Sequence, residues 1–212
     1  MVSRQEVLNS ELSFIKSENE YIAAQNIVKI SKMAFNTKLG YEVMSELSLK
    51  SQLSYKEFKL DSIADAVSAA LDKRYEVKAL EFAYESEEIN TEIAKKTYPD
   101  FSYPYKQQML KLEEAQKSLQ NLMSNIEMEV RSNYLEITQK YNEIKSGEKS
   151  VELAEEALKL SKLTYENGMG MQTDVQKAQV ALQQAKLGLS KAILDYNLAV
   201  LKFEDSIAVG RK

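Results

Sequence analysis

The feature that most constrains the fold is a row of apolar residues between Thr173 and Gly210. The row alternates steps of three and four residues without a break, and its members are Val175, Ala178, Leu182, Ala185, Leu189, Ala192, Tyr196, Ala199 and Phe203. This spacing is typical of a helix that lies along another helix. Every second member is alanine, which lets a neighbouring helix approach closely. We call this row the C-terminal seam.

A second row on the same stretch faces a different direction. Its members, spaced seven residues apart, are Val180, Leu187, Leu194 and Leu201. We call them the second stripe. A helix with two apolar rows is expected to touch two neighbours, so the pattern favours a helical bundle or a barrel wall over a two-stranded coil.

A matching row runs through residues 4–35. Its members are Val7, Ser10, Phe14, Ser17, Tyr21, Ala24, Val28, Ser31 and Phe35, and we call them the N-terminal seam. Adding 168 to each number gives the C-terminal seam, with large residues on large ones and small on small. Gly40 and Gly210 follow the two stretches. We interpret this as an internal repeat about 170 residues long, with both helices wedged between neighbours; the alternative is that any two heptad helices can be aligned in this way.

Composition favours an all-α fold and excludes several function classes. Only 6 Gly and 2 Pro occur among the 212 residues, which predicts long uninterrupted helices. The net charge of −4 gives no electrostatic footprint for a nucleic-acid partner. Without any Cys or His, zinc sites, thiol chemistry and histidine acid–base catalysis are excluded. We therefore predict no enzyme activity, no metal and no cofactor, and interpret carboxylate pairs such as Glu113 and Glu114 as solvated helix faces.

The breaking residues divide the chain into segments joined by short connections, which make neighbouring helices antiparallel. The predicted segments are a helix to residue 40, a linker over 41–60, a helix over 61–97, a proline turn over 98–104, a long helix over 105–166, a tip turn over 167–172 and a helix over 173–210. The helix over 61–97 could be divided between Asp72 and Glu76, or continuous. No membrane-spanning segment and no signal peptide pattern is found in the sequence.

The long helix carries a seam of its own. Its members are Leu112, Ala115, Leu119, Leu122, Ile126, Val130, Tyr134, Ile137, Tyr141, Ile144, Val151, Ala154, Leu158, Ser161 and Tyr165. At 1.5 Å per residue this helix is a rod roughly 90 Å long. Gly147 is expected to be a weak point.

Residues around the tip turn and along the last helix carry a resemblance to a known family. They are Tyr165, Glu166, Asn167, Gly168, Asp174, Val175, Ala178, Gln179, Leu182, Ala185, Asp195, Tyr196 and Gly210. Together with the stretches 62–80, 98–102 and 127–135, they resemble the TolC-like outer-membrane efflux proteins. The resemblance covers residues 61–210 as one family repeat, and residues 1–40 look like the closing helix of a preceding repeat.

The resemblance implies a fold, a function and partners. The fold would be one of long antiparallel helical hairpins, a coiled-coil bundle like the TolC α-barrel domain. The function would be that of a non-enzymatic component of an efflux or secretion duct, in its periplasmic helical part, passing small molecules or proteins in a tripartite pump. The partners would be a periplasmic adaptor protein, an inner-membrane transporter and further copies, three in the family, and the location the cell envelope.

The chain departs from the family in two respects. The family's membrane strands would follow Phe101, but only a few residues separate it from the return helix at Tyr105. Either the strands were removed and the helices joined, or the protein belongs to an envelope that needs no outer-membrane pore. The chain also begins just after the position of a hairpin tip, so we expect an excerpt or a degenerate relative. The alternative function is a structural coiled-coil scaffold or adaptor in the cell envelope that has lost the duct.

The tip turn contains the candidate site residues. Asn167, Gly168 and Met169 fall where the family carries an adaptor-docking motif; the alternative is a plain glycine helix cap. Tyr165 and Asp174 match positions near the duct entrance, but Tyr165 could instead pack in the seam and Asp174 could be a helix N-cap. A basic residue that closes the entrance in some relatives is replaced here by Gly170.

Overall fold

The computed structural model describes residues 4–50 and 52–207, which form two compact units divided after Gln52. All regular secondary structure in these residues is helical, which confirms the all-α prediction. The helices are α1 (Arg4–Leu39), α2 (Ile63–Lys73), α3 (Tyr75–Thr97), α4 (Tyr103–Glu166) and α5 (Gln172–Ile207). Within the described ranges, none of these helices combines the length and apolarity that a membrane crossing requires.

The first unit contains one helix, α1, and the loop that follows it. Gly40 ends α1 at φ 75°, where the Tyr41 N–H donates to the Asn36 carbonyl at 2.9 Å and the Gly40 N–H to Thr37 at 3.2 Å. These two bonds form a Schellman motif. The motif favours glycine at position 40, because the residue there must adopt a left-handed backbone conformation. The Asn36 side-chain amide, 1% exposed, then holds the loop by donating to the Val43 and Ser45 carbonyls at 3.0 and 2.9 Å.

The N-terminal seam is solvent-exposed in this unit. The exposed fractions of its large members are 47% for Val7, 68% for Phe14, 62% for Tyr21, 55% for Val28 and 45% for Phe35. The small members between them are exposed as well. The expectation that helices of the chain cover this row on both sides is therefore not met in the unit.

The first two helices of the second unit, α2 and α3, correspond to the divided alternative that the sequence left open for 61–97. Ser62 caps α2 by accepting a hydrogen bond from the Asp65 N–H at 3.3 Å. Arg74 then adopts an extended conformation, with φ −71° and ψ 129°, and separates α2 from α3. Its guanidinium group bonds Glu76 at 3.0 Å and Glu129 of α4 at 2.9 Å, so a contact distant in sequence fixes the break.

The connection between α3 and α4 covers residues 98–102 and is shorter than the proline turn predicted over 98–104. Ser102 is the N-cap residue and α4 begins at Tyr103, so Pro104 lies in the first turn of the helix. Proline is tolerated there because the N–H it lacks has no partner within the helix.

The core of the second unit lies between α4 and α5, with α2 against them. The C-terminal seam is buried: Tyr196 and Phe203 are each 1% exposed, and Val175, Leu182 and Ala199 are at most 9% exposed. The α4 seam faces it through Ile126, Val130, Ile137 and Ile144, which are also buried. Gly147 lies in this contact, because a Cβ there would be 3.2 Å from the Leu189 side chain. The alternation of large and small residues thus builds a close helix pair.

Candidate functional site at the α4–α5 hairpin

The tip of the α4–α5 hairpin is a second Schellman turn. The Met169 N–H donates to the Thr164 carbonyl at 3.0 Å and the Gly168 N–H donates to Tyr165 at 2.9 Å. Gly168 has φ 71° and Asn167 is the C-cap residue. The backbone therefore requires glycine at this position for the turn itself, whatever else the turn does.

Around this turn, three large side chains project into solvent. The exposed fractions are 77% for Met169, 64% for Met171 and 45% for Tyr165. Asn167 and Gly168 are exposed too. Methionine side chains are flexible and polarizable, so they adapt to the shape of a partner surface. Tyr165 does not pack in the α4 seam, which removes the alternative of a core role.

Asp174 does not have the N-cap role that the sequence suggested. Helix α5 begins at Gln172, so Asp174 lies inside its first turn. A carboxylate in the first turn interacts favourably with the positive end of the helix dipole. It also forms a long ion pair with Lys177, with the Asp174 Oδ1 and the Lys177 Nζ 3.9 Å apart.

Gly170 is constrained by its surroundings. A Cβ at this position would lie 3.2 Å from the Thr164 methyl carbon and 3.2 Å from the Tyr165 backbone nitrogen. A side chain at this position would require the end of α4 to shift by a few tenths of an ångström. The tip therefore contains two glycines for two different reasons, a left-handed backbone at Gly168 and a close approach at Gly170.

Two surfaces continue from the tip along the hairpin. An open groove of about 370 Å³ next to the tip is lined by Leu158, Leu163 and Leu182 and by four charged residues, Glu155, Lys159, Lys162 and Glu166. The second stripe of α5 is exposed along its length, with fractions of 56% for Val180, 70% for Leu187, 47% for Leu194 and 56% for Leu201. The two predicted rows of α5 thus differ: the C-terminal seam is buried in the second unit, and the second stripe is left exposed by the described residues of that unit.

Residues 53–60, which we call the strap, form a site that sequence reasoning missed. The strap has neither helix nor strand, and three of its side chains, Tyr55, Phe58 and Leu60, pack against the core of the hairpin unit. The Tyr55 ring meets Tyr141 and Tyr196 at centroid distances of 6.2 and 5.9 Å. The Phe58 ring meets Phe203 edge-on at 5.4 Å.

Polar contacts fix the strap backbone on the same surface. The Tyr196 hydroxyl accepts a hydrogen bond from the Phe58 N–H at 2.7 Å and donates one to the Lys56 carbonyl at 3.0 Å. The Asn197 amide donates to the Ser54 carbonyl at 3.0 Å. A buried tyrosine hydroxyl usually finds a partner, and here it finds two on one extended segment.

The Tyr55 hydroxyl completes the set by donating to the Glu148 carboxylate at 2.9 Å. This hydrogen bond, together with burial and the negative charge of Glu148, raises the pKa of Tyr55. The ionised phenolate would lose the bond and face the carboxylate. The signal in the sequence was a set of four apolar residues, Leu53, Tyr55, Phe58 and Leu60, among charged ones, but the hydrogen-bond partners of the strap lie about 90 to 140 residues away.

No protein-family model matches this chain, and no curated protein matches it.

Proposed function

We propose that this protein is a non-enzymatic helical-hairpin component of a cell-envelope duct, related to the periplasmic part of TolC-like efflux proteins. It acts by assembly: copies pack side by side through apolar rows on their helices and enclose a polar passage. The tip residues Asn167, Gly168 and Met169 meet an adaptor protein, and Tyr165 and Asp174 lie near the entrance.

The observation that carries the proposal is the pair of apolar rows on α5. One row is buried against α4 and the other stays exposed over the length of the helix. Exposed apolar patches of this extent mark interaction sites. A wall helix has this arrangement, because it packs on its hairpin partner on one side and on the next subunit on the other.

The exposed N-terminal seam favours a second candidate function. Ser10, Ser17 and Ser31 lie uncovered on α1, whereas a wall helix in the predicted repeat would be covered on that side. A structural scaffold, in which α1 binds another coiled-coil protein of the envelope, accounts for this exposure. The two functions differ in the assembly they require: a duct is a closed ring, and a scaffold is a monomer or dimer.

Sedimentation velocity of the full chain separates the two. The duct predicts a ring of at least three copies, which Leu187→Glu with Leu194→Glu reduces to monomers while the helix content by circular dichroism is unchanged. Phe82→Glu is the matched control, because Phe82 is 72% exposed on α3 and lies outside the stripe; this variant keeps the ring. Subunits that associate with micromolar affinity, about 8 kcal/mol, would be mostly assembled at about 50 μM. A wild-type protein that is still a monomer or dimer at that concentration would therefore contradict the duct.

A second experiment tests the docking role of the tip. A photo-crosslinking residue at position 169, where the native side chain is 77% exposed, is expected to couple to a hairpin-bearing envelope protein in the native cell. The same residue at position 82 is expected to give no such product. Equal products from both positions would contradict docking at the tip.

A further inference from the structure

The segment 95–111, which we call the aromatic end, joins α3 to α4 through a short and stiff turn. Residues 99–102 close this turn through the Ser102 N–H, which donates to the Pro99 carbonyl at 2.9 Å. Pro99 and Pro104 each fix a backbone angle on either side of the bend. Phe101 lies in the bend and is 82% exposed, the highest fraction of any large apolar side chain among the described residues.

Further exposed apolar side chains accompany Phe101 in the aromatic end. The exposed fractions are 44% for Tyr98, 76% for Tyr103, 42% for Met109 and 55% for Leu110. Leu110 lies seven residues beyond Tyr103 in α4, which at 1.5 Å per residue is about 10 Å along the helix. The exposed rings and aliphatic side chains thus extend over about 10 Å from the bend.

The aromatic end is basic, although the protein is acidic. It contains four lysines and one aspartate, whereas the whole chain carries a net charge of −4. The lysines, all exposed, are Lys95, Lys96, Lys106 and Lys111. None of them forms an ion pair with another described residue. Residues 81–92 of α3, just before this segment, contain five glutamates and no basic residue. The charge therefore changes sign where the exposed rings begin.

We propose that the aromatic end docks on the surface of an anionic phospholipid bilayer. Tyrosine rings favour the boundary between headgroups and acyl chains, and lysine stems lie along apolar surface while their ammonium groups stay at the phosphates. Segments that lie in this boundary bury their apolar side chains by about 5–10 Å, which corresponds to the extent of the exposed side chains here. Negative headgroups attract the lysines and repel the glutamates of 81–92, so the charge reversal confines the contact to this end.

The composition of the aromatic end favours a lipid surface over a protein partner. Both kinds of partner bind exposed aromatic rings, but protein interfaces are depleted in lysine. Four of the 17 residues of the aromatic end are lysines. Lysines interleaved with aromatic residues are typical of segments that lie on anionic membranes.

The inference goes beyond the duct proposal and does not depend on it. The aromatic end contains the first residues of α4, and the adaptor-docking tip follows the last ones. The membrane contact applies to a single copy as well as to a ring. Membrane binding without a ring would contradict the duct alone, and a ring without membrane binding would contradict this inference alone.

Tryptophan fluorescence of the full chain tests the contact, since the protein has no tryptophan of its own. Phe101→Trp places one probe in the aromatic end, and Phe82→Trp is the matched control, because Phe82 is 72% exposed within the acidic stretch. With phosphatidylglycerol vesicles we expect a blue shift at position 101 and quenching by brominated acyl chains. Binding to phosphatidylcholine vesicles is expected to be at least about tenfold weaker. No shift with phosphatidylglycerol, or an equal shift at position 82, would overturn the proposal.

Neutralising pairs of lysines separates local charge from the net charge of the chain. Lys95→Gln with Lys96→Gln is expected to lower the affinity for phosphatidylglycerol vesicles about thirtyfold, because each basic residue near an anionic surface contributes about fivefold. Lys149→Gln with Lys159→Gln is the control, since these side chains are 79% and 68% exposed elsewhere on α4 and the change in net charge is the same. The control is expected to keep its affinity in co-sedimentation at low ionic strength. Equal losses would count against a contact at the aromatic end.

Removing the rings tests insertion apart from charge. Phe101→Ser with Tyr103→Ser keeps all four lysines and is expected to bind phosphatidylglycerol vesicles at least about tenfold more weakly. Both side chains are exposed, so the helix content by circular dichroism is expected to stay unchanged. Wild-type affinity in this variant would overturn insertion of the rings. Co-sedimentation of the wild-type protein decides the proposal even if a variant fails to fold, because absence of binding to phosphatidylglycerol overturns it.

Discussion

The helices α1 and α5 carry the same apolar pattern and have opposite environments. Phe203 and Tyr196 on α5 are 1% exposed, while Phe35 and Val28, their counterparts 168 positions earlier, are 45% and 55% exposed. Both helices are 36 residues long. The difference lies in the partner. Helix α5 follows α4 through a five-residue turn over 167–171, whereas α1 is the only helix among the described residues 4–50 and 52 of its unit.

This comparison shows what a heptad pattern specifies. The order of large and small residues determines which surface a helix fits, but it does not say whether that surface belongs to the same chain. A row of exposed aromatic and aliphatic side chains on α1 is therefore the signature of a missing neighbour.

The largest expected effect comes from truncating the two equivalent phenylalanines. Phe203→Ala is expected to lower the free energy of unfolding by about 3–5 kcal/mol, because the ring is buried between Phe58 and Tyr134. Phe35→Ala is expected to change it by less than about 0.5 kcal/mol in dilute protein, as for other surface positions. Urea unfolding followed by circular dichroism measures both. Equal losses in the two variants at low concentration would contradict the comparison.

Much of the helical layout could be predicted, because it depends on local signals. Long helices follow from the scarcity of Gly and Pro and from the periodic seams. The two Schellman turns occur at Gly40 and Gly168, which the sequence placed at helix ends. The match between Gly40 and Gly210 stays a prediction, because Gly210 lies outside the described residues. The seam of α4 was also visible, and its members from Ile126 to Ile144 are buried or half-buried.

The next effect compares the two glycines that end α1 and α4. Gly168→Ala and Gly40→Ala each force a residue with a Cβ into a left-handed conformation, at a cost of about 1–2 kcal/mol. We expect Gly168→Ala to lower the global stability of the hairpin unit by this amount. Gly40→Ala is expected to speed amide exchange only around Tyr41, whose N–H closes the α1 turn. Hydrogen exchange measured by mass spectrometry resolves the two. A global destabilisation by Gly40→Ala would show that α1 is part of the same cooperative unit.

The features that could not be predicted depend on contacts distant in sequence. The sequence left open whether the helix over 61–97 is divided, and the contact that fixes the break, from the Arg74 guanidinium group to Glu129 on α4, could not be predicted. The strap has no periodicity, and its position follows from Tyr196 and Asn197 on α5. The start of α5 at Gln172 was misplaced by a residue or two because Thr173 and Asp174 are both good capping residues by type.

The smallest effect concerns the strap and depends on pH. The hydrogen bond to Glu148 raises the pKa of Tyr55, so its stabilisation is fully present below the unfolded tyrosine pKa of about 10 and is lost as the pH rises through the folded pKa. We expect Tyr55→Phe to cost about 1 kcal/mol at neutral pH. The difference between wild type and variant should shrink above about pH 10. Urea titrations of both proteins between neutral pH and alkaline pH measure it, and a difference that grows with pH would contradict the assignment.

If the chain forms a duct, as we propose, other copies cover both the second stripe of α5 and the N-terminal seam of α1, whereas in the scaffold another protein covers α1. Single cysteines at positions 187, 14 and 82 of separate variants, whose native side chains are 70%, 68% and 72% exposed, test it through their rate of maleimide labelling. The duct proposal predicts that positions 187 and 14 are labelled at least about tenfold more slowly in concentrated than in dilute protein, because an interface buries them. Position 82 is expected to keep its labelling rate. Concentration-independent labelling at all three positions would contradict the duct proposal.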